Sequence, residues 1–134
     1  MNTYSIVLSL HVITAILGLG PLAAVTILTA SGLPLPLLPL QRIMRLVIWS
    51  LLIMLITGCV LAGLVRGAFE HAWWLRLSVI IFFILGFLHS RVRRALRAAG
   101  PTLDPDLMRR VNRVLWAMCL CVGTITYLMQ AKPW

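Results

Sequence analysis

The sequence contains very few acidic side chains. Only three of its 134 residues are acidic, and charged residues of both signs make up 11% of the chain. The acids Glu70, Asp104 and Asp106 fall in predicted loops or helix caps, so they do not form the paired carboxylates that acid–base hydrolysis uses. A glycine-rich phosphate loop and a nucleophile beside its base are also lacking. Hydrolytic chemistry is therefore not expected.

Polar residues of all kinds are scarce because 61% of the chain is hydrophobic. The mean hydropathy of +1.01 is far above that of a soluble domain. Four helices of about 20 residues each would use nearly the whole length, which leaves no room for a separate soluble domain. The sequence thus predicts a single all-α domain over residues 1–134, a bundle of four transmembrane helices in a lipid bilayer.

The apolar runs and their flanking signals set the predicted helices, at residues 4–29, 42–65, 72–99 and 105–130. Asp104 as an N-cap and Pro105 as a first helical residue predict the start of the fourth helix. Pro21 predicts a bend in the first helix, since its nitrogen cannot donate to the carbonyl of Leu17. The segment 31–40 contains three prolines and is predicted as a turn at the membrane interface. No Lys or Arg precedes Arg42, and the first apolar run is too long for a signal-peptide core, so we expect it to remain as a helix.

Basic residues give the chain a formal charge of +9. They cluster at the ends of apolar runs, which indicates membrane topology and lipid headgroups rather than nucleic acid. Nine of the twelve Lys and Arg lie in the segments 41–45 and 91–113. The positive-inside rule makes this side cytoplasmic and puts both chain ends outside a bacterial inner membrane.

Histidines are the main candidates for chemistry, since ionisable groups inside a membrane segment are costly to desolvate. His11 lies roughly 10 Å below the outer surface at 1.5 Å per residue. His71 and His89 share one face of the third predicted helix, and His89 lies about 24 Å along it from Trp73. Because His11 and His89 fall near opposite leaflets, they are not expected to ligate the same iron. His11 is the predicted metal ligand.

A haem b site fits the layer of His11. An imidazole is an axial ligand of haem iron. Ser78 shares this layer, and Arg66 and Arg76 are near enough to neutralise haem propionates by charge-assisted hydrogen bonds. His71 is a candidate second ligand, and His89 completes the candidate set.

Each histidine also has a purely structural interpretation. His11 can instead hydrogen-bond a facing serine or carbonyl. His89 can lie among lipid headgroups beside the arginines that follow it, and His71 can pair with Glu70 at the interface.

Other soft ligands are less favoured for metal binding. Cys119 and Cys121 diverge by about 200° on a helix, so they do not chelate one metal. The methionines share no obvious face with a histidine, which disfavours copper transport. Gly63 with Gly67 predicts close helix packing, within one chain or between copies.

Three short motifs lie along the chain: Leu10-His11, Thr57-Gly58, and Trp74-Leu75 followed by an apolar helix with His89. This pattern resembles the HemJ-type protoporphyrinogen oxidases and the copper-resistance CopD-like domains. The resemblance implies a four-helix membrane fold and haem b, with the first-helix histidine and a third-helix lysine as functional residues. His11 carries over, but Ser78 stands at the lysine position. An active protoporphyrinogen oxidase is therefore not expected.

Three functions follow as hypotheses. The first is a haem b protein of membrane redox or tetrapyrrole chemistry, whose electron partner is a quinone or another membrane complex. The second is a non-catalytic accessory subunit or assembly factor that packs against a larger complex, or a homo-oligomer. The third is a small transporter of a metal or a tetrapyrrole.

Overall fold

The computed structural model describes residues 2–32, 36–64, 73–99 and 104–131. These residues form four helices and no strand: α1 (Thr3–Ala30), α2 (Leu37–Leu64), α3 (Trp73–Ala98) and α4 (Pro105–Ala131). Each helix is long and apolar enough to cross a membrane. At 1.5 Å per residue they measure about 40 Å, which exceeds the roughly 30 Å of bilayer hydrocarbon. The predicted all-α, multi-pass membrane fold is confirmed.

The start of α2 differs from the prediction. The helix begins at Leu37, inside the segment 31–40 that was predicted as a turn. Pro39 is tolerated because it lies in the first turn, where backbone N–H groups have no partner within the helix. Only the end of α1 turns as predicted, with Gly32 in the left-handed region at φ 70°. The positions 33–35 lie outside the described residues.

The start of α4 follows the prediction closely. Asp104 caps the helix by accepting a hydrogen bond from the backbone N–H of Asp106 at 3.3 Å. Its carbonyl accepts the first helical hydrogen bond, from Met108 at 3.0 Å. Pro105 is the first helical residue, where its fixed φ suits a helix start.

The four helices form a ring in chain order. α1 packs mainly on α2 and α3 on α4, α4 closes the ring against α1, and α2 and α3 are the neighbours in least contact. Successive helices run in opposite directions, so the bundle has two halves. We call the half in which α2 and α4 begin the arginine half, and the half in which α1 begins and α4 ends the terminal half.

The packed core lies almost entirely in the arginine half. It consists of aliphatic side chains and two methionines from all four helices: Leu22, Val25, Leu40, Met44, Val47, Leu51, Leu85, Val92, Leu96, Val111, Leu115 and Met118. Hydrogen bonds between helices supplement this packing. The Asn112 amide donates to the Thr26 carbonyl at 3.0 Å and to the Thr29 hydroxyl at 2.7 Å, which ties α4 to α1.

The closest described approach at a glycine joins α1 to α2. A Cβ atom built on Gly18 would lie 2.7 Å from the Cβ of Ser50, well inside van der Waals contact. The α1 backbone therefore lies directly on α2 at this point, and any side chain at position 18 would push the two helices apart.

We expect Gly18→Ala to destabilise the protein by about 1–3 kcal/mol, because the added methyl group overpacks this contact. Gly123→Ala is the matched control, since a Cβ there would meet no atom within 4 Å. The fraction of monodisperse protein in detergent, measured by gel filtration after heating, gives the stability of each variant. Equal melting of the two variants would contradict the proposed contact.

Candidate functional site

A cavity of about 470 Å³ lies in the terminal half, with walls from all four helices. This volume falls in the usual range of small-molecule sites. Ala15, Gly58 and Ala62 line it, and their small side chains leave space that larger ones fill in the arginine half. The cavity is therefore a consequence of residue size in this half of the bundle.

The cavity wall is apolar except for five positions. These are His11 on α1, Cys59 on α2, Ser78 on α3, and Thr126 and Gln130 on α4. No acid and no arginine or lysine is among the described wall residues. The histidine is thus the one described wall group with an ordinary pKa near neutrality.

His11 is held by α2. Its Nδ1 atom lies 2.8 Å from the hydroxyl oxygen of Thr57. Two carbonyls of α2 are within reach of that hydroxyl, those of Ile53 at 2.8 Å and Met54 at 3.1 Å, and when its single hydrogen is donated to either one its oxygen accepts from the imidazole. We infer from this chain of hydrogen bonds that His11 is the Nδ1–H tautomer. The lone pair is then on Nε2, which is left to accept a hydrogen bond or to bind a metal.

Gly58 gives the imidazole its space. A Cβ atom at this position would lie 3.5 Å from the Cε1 atom of His11, so the ring lies against the α2 backbone. Thr57 therefore orients the ring and Gly58 accommodates it. The two residues of the Thr57-Gly58 motif have complementary roles at one histidine.

The contact between Gly18 and Ser50 sets the register of α1 against α2, and with it the position of His11 beside Thr57. Thr57 follows Ser50 by seven residues on α2, and His11 precedes Gly18 by seven on α1. In antiparallel helices such residues meet two turns from the contact, about 10 Å away. The position of His11 against Thr57 therefore follows from the close approach at Gly18.

Ser78 lines the same cavity as His11 and is 3% exposed. Its hydroxyl donates to the carbonyl of Trp74 in its own helix at 2.8 Å. The hydroxyl that holds His11 belongs to Thr57 on α2, and not to a serine across the bundle. Ser78 is therefore a wall residue whose hydrogen-bond donor is already used.

His89 lies in the arginine half and does not line the cavity. It is 2% exposed, so it is not among lipid headgroups. Its Nε2 atom lies 2.8 Å from the Met44 carbonyl, to which it donates. His89 thus joins α3 to α2, and its geometry accounts for it as a structural residue.

The other predicted site residues are not brought into the described cavity. Arg76 is exposed and is not part of the wall. Arg66 and His71 lie outside the described residues, so the predicted propionate contacts and second ligand rest on positions without a described structure.

Sequence reasoning missed the contribution of sulphur. Met54 on α2, Met129 on α4 and Cys59 line the cavity together with His11. The sequence disfavours the methionines as ligands because they share no obvious face with a histidine, whereas the cavity is lined by side chains from different helices. Within the described ranges, no three His, Cys, Asp or Glu residues are grouped to hold a metal.

We expect Thr57→Val to remove the fixed tautomer of His11, since valine offers no oxygen to Nδ1–H. Imidazole ¹⁵N chemical shifts of the labelled protein in detergent at pH 8 would report mainly Nδ1–H in the native chain and a mixture in the variant. Thr124→Val is the control because the Thr124 hydroxyl donates only to its own helix, at Leu120. A fixed tautomer in Thr57→Val would exclude the hydrogen-bond chain.

Comparison of the chain with family models, with curated proteins and with solved structures gives no match. The resemblance to HemJ-type and CopD-like proteins therefore remains a hypothesis that rests on its short motifs.

Proposed function

We propose that this multi-pass membrane protein binds haem b in the terminal-half cavity, where Nε2 of His11 would hold the iron. The observation that carries the proposal is the imidazole in an otherwise apolar cavity, its Nδ1–H held by Thr57. Metal-binding histidines characteristically donate their other ring N–H to an oxygen, which fixes the ring and raises its basicity.

The cavity wall supports a flat, mainly apolar ligand. Apolar side chains from all four helices would contact such a ligand, and Gly58 leaves room beside the imidazole. Arg66 and Arg76 remain the proposed propionate partners because each is close in sequence to a wall residue. Arg66 follows Ala62 by four positions, and Arg76 directly follows Leu75. A bound haem b would supply one-electron exchange at its iron.

A redox or tetrapyrrole role suits this wall better than acid–base catalysis. Among the described wall residues no carboxylate or cation stands beside His11, and the Ser78 hydrogen is committed to Trp74. We therefore propose a function distinct from protoporphyrinogen oxidation, with a membrane quinone or another membrane complex as electron partner.

We expect the purified protein from haem-supplemented cells to show a Soret band, which His11→Ala reduces at least about tenfold because the iron loses its protein ligand. The visible spectrum, normalised to protein, measures this. His89→Gln is the control, since glutamine retains a donor for the Met44 carbonyl and the residue lies away from the cavity. Colourless native protein, or a full band in His11→Ala, would overturn the proposal.

A pair of variants at Gly58 checks the location of the haem in the same assay. Alanine there would make only an ordinary contact with the imidazole, at 3.5 Å, so the Soret band is expected to persist. Leucine would fill the space beside His11 and is expected to abolish the band while the helical circular dichroism stays unchanged. Equal bands in both variants would place the haem elsewhere.

We further propose that the protein lies in a bacterial inner membrane with the arginine half towards the cytoplasm, as the positive-inside rule predicts. A C-terminal alkaline phosphatase fusion would then be active, and a C-terminal green fluorescent protein fusion would be dark. Replacing Arg42 and Arg45 by glutamine should not invert this pattern, because seven arginines remain in 91–113. The opposite reporter result would reverse the orientation.

A further inference from the structure

We propose that the α2–α3 seam in the arginine half binds an anionic phospholipid, with the phosphate at Arg93 and Arg45 and an acyl chain along the seam. The phosphate part of this inference is independent of haem binding, because neither Arg45 nor Arg93 lines the cavity that contains His11.

Positive charge in the arginine half is largely unneutralised. It comes from nine arginines and no lysine: Arg42, Arg45, Arg91, Arg93, Arg94, Arg97, Arg109, Arg110 and Arg113. Within the described ranges the one ion pair joins Arg109 to Asp106 at 3.7 Å, with side chains 80% and 74% exposed. Such an exposed pair contributes little. Arginine, unlike lysine, offers a planar fork that binds phosphate through two hydrogen bonds.

Two hydrogen bonds between α2 and α3 place Arg93 at the seam. The Gln41 amide donates to the Leu96 carbonyl at 3.1 Å, and His89 donates to the Met44 carbonyl at 2.8 Å. Arg93 lies one turn beyond His89 and one turn before Leu96, between the two hydrogen bonds. It is half-buried, and no described residue forms an ion pair with it.

Helical spacing puts Arg45 on the side of α2 that meets α3. Arg45 follows Gln41 by one helical turn and adjoins Met44, the two α2 residues that make the hydrogen bonds to α3. Arg45 is exposed, so its guanidinium is available to a headgroup. Helical register thus puts Arg93 and Arg45 on two helices at one seam, as the binding of a single phosphate by both would require.

Beyond these arginines the seam is loosely packed and bordered mainly by apolar residues, and this part of the seam is the proposed groove. α2 and α3 are the neighbouring helices in least contact, and a Cβ on Gly86 would meet no atom within 4 Å. Gly86 is half-buried and lies one turn before Ser90, and one turn earlier on the same side of α3 the half-buried Phe82 lines the terminal-half cavity. A ligand with an anionic headgroup and an apolar chain matches both the two arginines and the apolar part of the seam beyond them. An acidic peptide or a nucleic acid matches only the arginines.

The test compares two double variants that each lose two charges. Arg45→Gln with Arg93→Gln alters the seam, and Arg109→Gln with Arg113→Gln removes exposed charges from α4. Full-length protein in detergent is titrated with dioleoyl phosphatidylglycerol or dioleoyl phosphatidylcholine, and lipid adducts are measured by native mass spectrometry.

We expect native protein to bind one phosphatidylglycerol in preference to phosphatidylcholine. The seam variant should bind it about tenfold more weakly, as expected for the loss of charge-assisted hydrogen bonds, and the α4 variant nearly as well as the native chain. Equal losses in the two variants, no lipid preference, or displacement of the lipid by an equal concentration of inorganic phosphate would each overturn the proposal.

Gly86→Leu tests the groove with every arginine retained, and it keeps the proposal testable if the double variant does not fold. Leucine should weaken binding of dioleoyl phosphatidylglycerol, because it fills the space proposed for the acyl chain. Binding of dihexanoyl phosphatidylglycerol, which has the same headgroup and short chains, should be unchanged. An equal effect on both lipids, or none on either, would show that no acyl chain occupies the seam.

Discussion

The close approach of α1 to α2 at Gly18 and Ser50 is the contact on which the site depends. In a bilayer, helices gain little from apolar contact alone, because lipid tails are equally apolar, so close backbone approach and hydrogen bonds decide how they pair. Gly18 lets α1 lie on α2 at a defined register. Two turns away that register brings His11 to Thr57, so the polar contact at the cavity follows from a glycine outside it.

The two halves of the bundle satisfy their polar groups differently. In the arginine half Gln41, His89 and Asn112 each donate to a backbone carbonyl of another helix, which closes the helices around large aliphatic residues. Serine and threonine hydroxyls donate to their own helices in both halves, as Thr26 and Ser78 do, and the described side-chain hydrogen bond between helices in the terminal half is that of His11 with Thr57. Such hydroxyls do not draw helices together, and small wall residues keep the cavity open.

The sequence predicted the fold because the fold depends on local signals. Apolar length identified four spans, and Asp104 with Pro105 identified the start of α4. The predicted start of α2 was wrong because all three prolines of the segment 31–40 were assumed to exclude a helix. The backbone tolerates Pro39 within the first turn of a helix. Proline position relative to the helix start, and not proline number, decides where the turn ends.

The site was only partly predictable because it depends on which helices face each other. His11 and Ser78 were assigned to one layer from depth alone, and they do line one cavity. Depth does not show which hydroxyl meets an imidazole, so Thr57 was noted only as part of a motif. Nor does it show that Met54 and Met129 approach from opposite helices. Register between helices depends on contacts such as Gly18 with Ser50, which a single sequence does not display. A glycine two turns from an intramembrane histidine on the same helix is the signal that points to such a register, since it marks where another backbone lies close.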